Sequence, residues 1–172
     1  MVIERKGKPI IIRRAQRRDI PAIAKLGSEA FSGLRPRSAG MKWVIANWRA
    51  RPRMGYWVAV EGERLLGYIL WIEKGGFRRL AVFELEQIAV LPSSRRKGIG
   101  ASLITSSLKD IQAVLKSRHA SLKLVEITTG SEQGALEFYR RTLGAKVAGV
   151  IPDMFRGDEY ILIARTKAAG PT

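Results

Sequence analysis

The stretch "LPSSRRKGIGASLI", residues 91 to 104, limits the fold more than any other. An apolar run ending in Ile88-Ala89-Val90 stops at Pro92, and three consecutive cations, Arg95, Arg96 and Lys97, lead into Gly98-Ile99-Gly100. From there Ile99, Leu103, Ile104, Leu108, Ile111 and Leu115 recur at helical spacing, which predicts a helix over residues 98 to 117. A strand therefore runs through a tight cationic turn into a long helix. Adjacent positive charges repel one another unless solvent or an anion compensates them. The first amides of a helix lack intrahelical partners, and the helix dipole adds partial positive charge there, so this geometry suits an anion. It is not a dinucleotide fingerprint, which needs a third glycine, nor a Walker loop, which needs Gly-Lys-Ser/Thr.

Hydrophobic patterning extends the reading in both directions. "KPIIIRRA" (8 to 15) reads as a β-branched strand. A helix follows, with Asp19 as candidate N-cap and Pro21 in its first turn. "SGLRPRSAG" reads as a loop and "MKWVIANWRARPRMG" as a second helix stopped by Pro52. Apolar runs on either side of Glu61-Gly62-Glu63 predict a hairpin, and "RRLAVFELEQIAV" a further antiparallel strand. "SLKLVEITT" reads as a strand, "EQGALEFYRRTL" as a helix, and "GAKVAGVI" with "DEYILIART" as a final hairpin. The order β-α-α-β-β-β-α-β-α-β-β makes a mixed α/β sheet with helices on both sides. With no internal repeat and no break in composition, residues 1 to 166 read as a single domain and 167 to 172 as a loose tail.

Composition removes several function classes. The 172 residues include no cysteine, so disulfides, thiolate metal sites and a cysteine nucleophile are excluded. One histidine, His119, excludes a two-histidine metal site, and no metal is expected. His119 falls at the predicted end of the long helix, where a cation is a favourable dipole partner. No apolar run approaches the roughly 20 residues of a membrane span, and the N-terminal apolar run is too short for a secretory signal. No membrane association is expected, and the expected compartment is the cytoplasm. The net charge of +16 is uneven, because residues 1 to 53 hold 14 Lys and Arg against three acids. That asymmetry points to an acidic partner or a polyanion such as nucleic acid, with a merely well-solvated surface as the alternative.

"ELEQIAVLPSSRRKGIGASLI" resembles the coenzyme-A-binding segment of the GNAT superfamily of N-acetyltransferases. The family's Gln/Arg-x-x-Gly-x-Gly/Ala stands here as Arg95-Arg96-Lys97-Gly98-Ile99-Gly100, after Val90-Leu91-Pro92. A second landmark lies in "GALEFYRRTLGAKV", where Ala135 and Tyr139 have the family's mutual spacing. Glu132 stands where the family commonly has asparagine, and Gly144-Ala145 replaces its Gly-Phe, one residue further on. The resemblance covers roughly residues 9 to 166 and implies a central, mostly antiparallel sheet of about seven strands flanked by about four helices. It implies that amides from Arg95 to Ala101 cradle the pyrophosphate of acetyl-CoA, and that backbone at Ile88, Ala89 and Val90 pairs with the pantetheine arm. It implies an acetyl transfer by direct attack of an amine, with coenzyme A as product and no acyl-enzyme. Tyr139 would then protonate the leaving thiolate, a task suited to a phenol that keeps its proton at neutral pH. A carboxylate or a relayed water must take a proton from the acceptor ammonium before attack, or from the adduct after it. Glu84 and Glu86 share a strand face, and both remain candidates.

The resemblance implies that the acceptor is a primary amine on a protein, a peptide or a small molecule. Arginines in "RPRSAGMKW" and "NWRARPR" suggest an acidic acceptor or one on a nucleic-acid-associated protein, because guanidinium forks bind carboxylate and phosphate. Trp43, Trp48, Trp57 and Trp71 line either an acceptor pocket or the core. A homodimer through the final hairpin stays open. So does a second function class: a catalytically weak GNAT-fold module that binds nucleic acid or an acidic partner through its basic N-terminal third.

Overall fold

β-Branched and aromatic runs form the strands of this protein, and the 3.6-residue apolar stripes form its helices. The computed structural model describes residues 2–3, 9–31, 37–76, 78–131, 133–155 and 157–166. Two compact units result, Met1–Trp71 with Gln87–Asp110 and Ile72–Glu86 with Ile111–Thr172.

In the first unit β1 (Val2–Ile3) pairs antiparallel with β2 (Ile10–Arg14) through Val2↔Ile11 and Ile3↔Ile10. β2 in turn pairs antiparallel with β3 (Met54–Glu61), from Ile10↔Glu61 to Arg14↔Trp57. The strand order continues through β4 (Arg64–Lys74) to β5 (Leu80–Val90). Tyr56 to Val60 of β3 are buried without alternation, as expected of a strand covered on both faces. Helices α1 (Ile20–Ala30) and α2 (Arg37–Arg49) contribute Ile20, Ile23, Leu26 and Val44 to a core with Tyr56, Val58, Tyr68 and Leu70. Each such aliphatic side chain contributes about 1.5–3 kcal/mol by leaving water. Helix α3 (Ile99–Ser117) begins in this unit and buries Ile99, Leu103 and Ile104.

In the second unit β5 pairs parallel with β6 (Ser121–Gly130), from Leu80↔Ser121 to Leu85↔Ile127, with a bulge after Ala81. Parallel neighbours need a crossover, and α3 is the helix of that connection. β6 pairs antiparallel with β8 (Glu159–Arg165), and β8 with the edge strand β7 (Lys146–Ile151), giving the order β5-β6-β8-β7. Helix α4 (Gln133–Leu143) connects β6 to β7.

The predicted order of seven strands and four helices holds, with the two-residue β1 as an addition. Two local expectations need correction. Helix α2 starts at Arg37, inside the stretch read as a loop, and ends at Arg49, before Pro52. Asp19 stands at the N-cap of α1 without a side-chain cap bond. Its carboxylate instead accepts Arg13 Nη1 at 2.6 Å and Nη2 at 3.0 Å, and the amide of Gln16 at 2.6 Å, closing a 3-10 turn over Arg17–Asp19. An ionic acceptor set outweighs an ordinary cap bond. Trp57 and Trp71 belong to the core: Trp57 Nε1 donates to Asp110 Oδ2 at 2.7 Å and Trp71 Nε1 to Ser107 Oγ at 2.8 Å. Trp43 and Trp48 are half-buried against the core of the first unit. The tail 167–172 and Glu132 lie outside the described residues. Among the described residues no helix is long and apolar enough to cross a membrane.

Candidate active site

In the first unit the cationic turn is built as an open cradle. A 3-10 turn over Pro92–Ser94 ends β5, and Arg96 and Gly98 both take positive φ, 56° and 78°. Gly98 tolerates this left-handed backbone without strain, and a Cβ placed there meets nothing within 4 Å, so the space in front of it is open. The first helical bond of α3 runs from Ser102 N to Gly98 O at 3.0 Å. The amides of Ile99, Gly100 and Ala101 precede it and have no helical acceptor of their own. Arg95, Arg96 and Lys97 are exposed. Two of them also brace the turn, since Arg95 Nε donates to Val90 O at 3.2 Å and Lys97 Nζ to Ser93 O at 2.9 Å. With these carbonyls engaged by cations, the turn offers amides and positive charge outward. That donor set fits a diphosphate, and the residues present fit coenzyme A. Gly100 is half-buried within α3, so close approach depends on Gly98. Ile88 and Val90 are half-buried and Ala89 is buried, on the part of β5 past its last pair with β6, Leu85↔Ile127.

The second unit brings charged groups together. Glu84 of β5 stands directly opposite Glu126 of β6, and like charges in that position repel. Lys74, at the end of β4, compensates both: its Nζ lies 2.9 and 3.0 Å from the Glu126 oxygens and 3.4 Å from Glu84 Oε2. The Glu126 bond, ahead of the other interactions, pushes the Lys74 ammonium above its usual range. Glu86, two residues further on the same face of β5, is half-buried and forms no ion pair among the described residues. Burial first, then the neighbouring Glu84 charge, raises its carboxyl above the ordinary carboxylate range, against a partial offset from Lys74. The two candidate bases therefore differ: Glu84 is held by an ammonium, and Glu86 is half-buried without an ion pair among the described residues, its carboxyl raised by burial.

Tyr139 lies on α4 with 7% of its surface exposed, its ring 5.2 Å from that of Phe138. Burial pushes its phenol up to about 12, so the hydroxyl keeps its proton at every physiological pH. No hydrogen bond to it exists among the described residues, and no buried side-chain polar atom in that set lacks a partner, so Oη reaches solvent. Gly144, at φ 64°, closes α4 by donating to Arg140 O, and Ala145 N reaches Tyr139 O at 3.5 Å. This left-handed cap absorbs the extra residue between Tyr139 and Gly144. A groove of about 940 Å³ in this unit is lined by α4 and β7 residues, including Glu137, Arg140 and Lys146, and by none of Glu84, Glu86 or Tyr139. His119 lies exposed past the end of α3, and Ser107 Oγ donates to Leu103 O at 2.6 Å, so neither has a catalytic arrangement.

Lys74 and Glu126 escape a reading of the sequence. Their signal is the parity of Lys74, Glu84 and Glu126 on neighbouring strands, which acquires meaning only once the parallel register is known.

The sequence matches the acetyltransferase (GNAT) family over residues 20–145. It is 26% identical over 169 residues to an N-alpha-acetyltransferase of Sulfurisphaera tokodaii, covering 93% of this chain and 95% of the relative. An aminoglycoside 6'-N-acetyltransferase complexed with coenzyme A superposes with a TM-score of 0.71 at 19% identity, covering 90% of this chain and 96% of the other. A spermidine N-acetyltransferase variant from Vibrio cholerae gives 0.69 at 18% identity, covering 90% and 92%. These two likenesses establish the fold, and the family match accounts for the strand, cationic turn and helix that opened the description. The chain belongs to the acetyltransferase (GNAT) family and is an acyltransferase that uses acetyl-CoA.

Proposed function

We propose that this enzyme acetylates the α-amine of a peptide or protein, with Glu86 as general base and Tyr139 as general acid. The observation that carries the reading is the asymmetry on β5: Glu84 is held by Lys74, whereas Glu86 is half-buried, without an ion pair among the described residues, and its carboxyl is raised above the ordinary carboxylate range by burial and by the Glu84 charge. A base acts best when its pKa lies near the operating pH.

Acetyl-CoA supplies the thioester acyl group. The amides of Gly98 to Ala101, with Arg95, Arg96 and Lys97, hold its pyrophosphate, and the backbone of Ile88 to Val90 orients the pantetheine arm. Glu132, in place of the family's asparagine, falls outside the described residues and is given no part in the scheme. Glu86 accepts, directly or through water, the proton that the acceptor ammonium must lose before its nitrogen bonds the acyl carbon. Tyr139 Oη donates a proton to the sulfur as the carbon–sulfur bond breaks, the adduct nitrogen releases its second proton to water, and solvent reprotonates Oη. Glu84, Lys74 and Glu126 fix the charge beside Glu86. Residues 1 to 166 act as one domain in this scheme, and the absence of cysteine agrees with a cytoplasmic setting.

Charge favours a peptide over a polyamine or an aminoglycoside. A net +16 repels polycations and leaves an acceptor with a single amine, or with acidic residues nearby, at an advantage. The relative from Sulfurisphaera tokodaii is named for the same α-amine chemistry. Two assays test the proposal. Calorimetric titration with acetyl-CoA should give saturable one-to-one binding that inorganic diphosphate does not reproduce. Thiol release should then follow addition of short peptides with free α-amines and not of spermidine. Turnover on spermidine with none on any peptide would overturn the acceptor assignment; no acetyl-CoA binding would overturn the site.

A further inference from the structure

The catalytic scheme assigns no side chain of residues 1 to 53 a part in the chemistry. Of the 14 cations in residues 1 to 53, six arginines gather at one end of the β2–β3 ladder. The ladder extends past Arg14↔Trp57 by the bond from Ala15 N to Tyr56 O at 2.9 Å. Because the strands are antiparallel, the exit of β2 and the entry of β3 coincide. Arg14, Arg17 and Arg18 at the exit thus stand at the same end as Arg49, Arg51 and Arg53 at the entry. All six are exposed, and none forms an ion pair among the described residues.

The acids offset this charge only in part: Asp19 interacts electrostatically with Arg18 as well as with Arg13, and Asp110 accepts from Trp57, whose ring Arg14 overlies. Asp19 is occupied by Arg13 and the Gln16 amide. Glu29 lies in the last turn of α1, more than two helical turns from Ile20 at about 1.5 Å per residue. We propose that this arginine end of the first unit binds the phosphodiester backbone of a nucleic acid.

Two observations favour a phosphate backbone over an acidic protein surface. The aromatic faces nearby are already covered: Arg51 stacks 3.9 Å over Trp48 and Arg14 lies 5.0 Å over Trp57. The large exposed hydrophobics of the described residues, Ile11 and Phe155 among them, include none from 14 to 18 or 49 to 53. Protein interfaces draw their energy from aromatic and apolar anchors, which this patch does not present. Backbone binding needs only clustered cations, and guanidinium forks match phosphate oxygens. The contact is therefore independent of sequence and sensitive to salt.

The test is fluorescence anisotropy of the full chain with labelled oligouridylate and with a labelled DNA duplex, across a salt series. Engagement of all six arginines predicts a log–log salt slope of about −4 on the single strand. Combining Arg17→Gln, Arg49→Gln and Arg53→Gln should cut that slope by about 2, whereas Lys at the same three positions should preserve it. Unchanged acetyl-CoA titration of each variant certifies its fold. Binding of either nucleic acid with this loss of slope supports the assignment, and the two arms say whether RNA, DNA or both are taken. No binding at low salt, a slope indifferent to the Gln substitutions, or displacement by polyglutamate as effective as by unlabelled oligonucleotide would each overturn it.

Discussion

The cationic turn and the carboxylate face of β5 are two ways to build an electrostatic site. The turn is local: a strand end, Gly98 in a left-handed conformation and the first amides of α3 lie within a few residues, and its charges face solvent. The carboxylate face is assembled from two consecutive strands and a third brought in from more than thirty residues on, with Lys74 contacting both Glu84 and Glu126 and Glu86 two residues beyond Glu84. A local, exposed site binds through many weak, additive contacts. An assembled, half-buried one changes the basicity of a single group. Binding should therefore degrade gradually under mutation of the turn, and catalysis sharply under mutation of the face.

The largest effect expected is on turnover. Glu86→Gln should lower kcat by about 10²–10⁴ with acetyl-CoA affinity intact, while Glu84→Gln should cost less than about tenfold, both measured by thiol release on a peptide acceptor. Equal losses would erase the distinction between the two carboxylates. Tyr139→Phe should lower kcat by about 10² and leave the calorimetric Kd for acetyl-CoA unchanged. Gly98→Val tests the turn: a β-branched residue at φ 78° costs about 1–2 kcal/mol and fills the open space, so acetyl-CoA affinity should fall about tenfold. Unaltered affinity would remove Gly98 from the cradle.

The smallest effects sharpen the electrostatics. Lys74 lowers the Glu86 carboxyl, so Lys74→Met should move the acid limb of the rate profile to higher pH. Glu86 also leaves a mark on stability. Its folded-state carboxyl binds a proton more tightly than the unfolded chain does. Its contribution is thus complete below the ordinary carboxylate range and is lost as pH rises through the raised folded value. Glu86→Gln should accordingly raise Tm at neutral pH, by about 1–2 °C, and have no such effect in acid.

What could be read beforehand follows the same division. The strand, turn and helix from Ile88 to Leu115 are visible because apolar periodicity and glycine placement are local signals. Tyr139 becomes a candidate only through the family resemblance of "GALEFYRRTLGAKV", and Glu84 and Glu86 become candidates through strand parity. Which glutamate is ion-paired is not legible, because the answer depends on Glu84 facing Glu126 in a parallel register and on Lys74 reaching both. The early start of α2 was hidden by Pro36 and Gly40, residues that locally read as loop. Asp19 reads as a cap because its strand partner Arg13 is six residues away and has no sequence mark.

The most direct single measurement is the pH dependence of kcat for the wild type beside Glu86→Gln and Glu84→Gln, on one peptide acceptor with saturating acetyl-CoA. Glu86 must be ionised to act, so activity should fall as pH drops through a limb above the ordinary carboxylate range of about 4.3. That limb should vanish from the residual activity of Glu86→Gln. In Glu84→Gln it should survive and move to lower pH, since a repelling charge is gone. A limb unchanged in Glu86→Gln and lost in Glu84→Gln would transfer the proton to Glu84 and contradict the assignment.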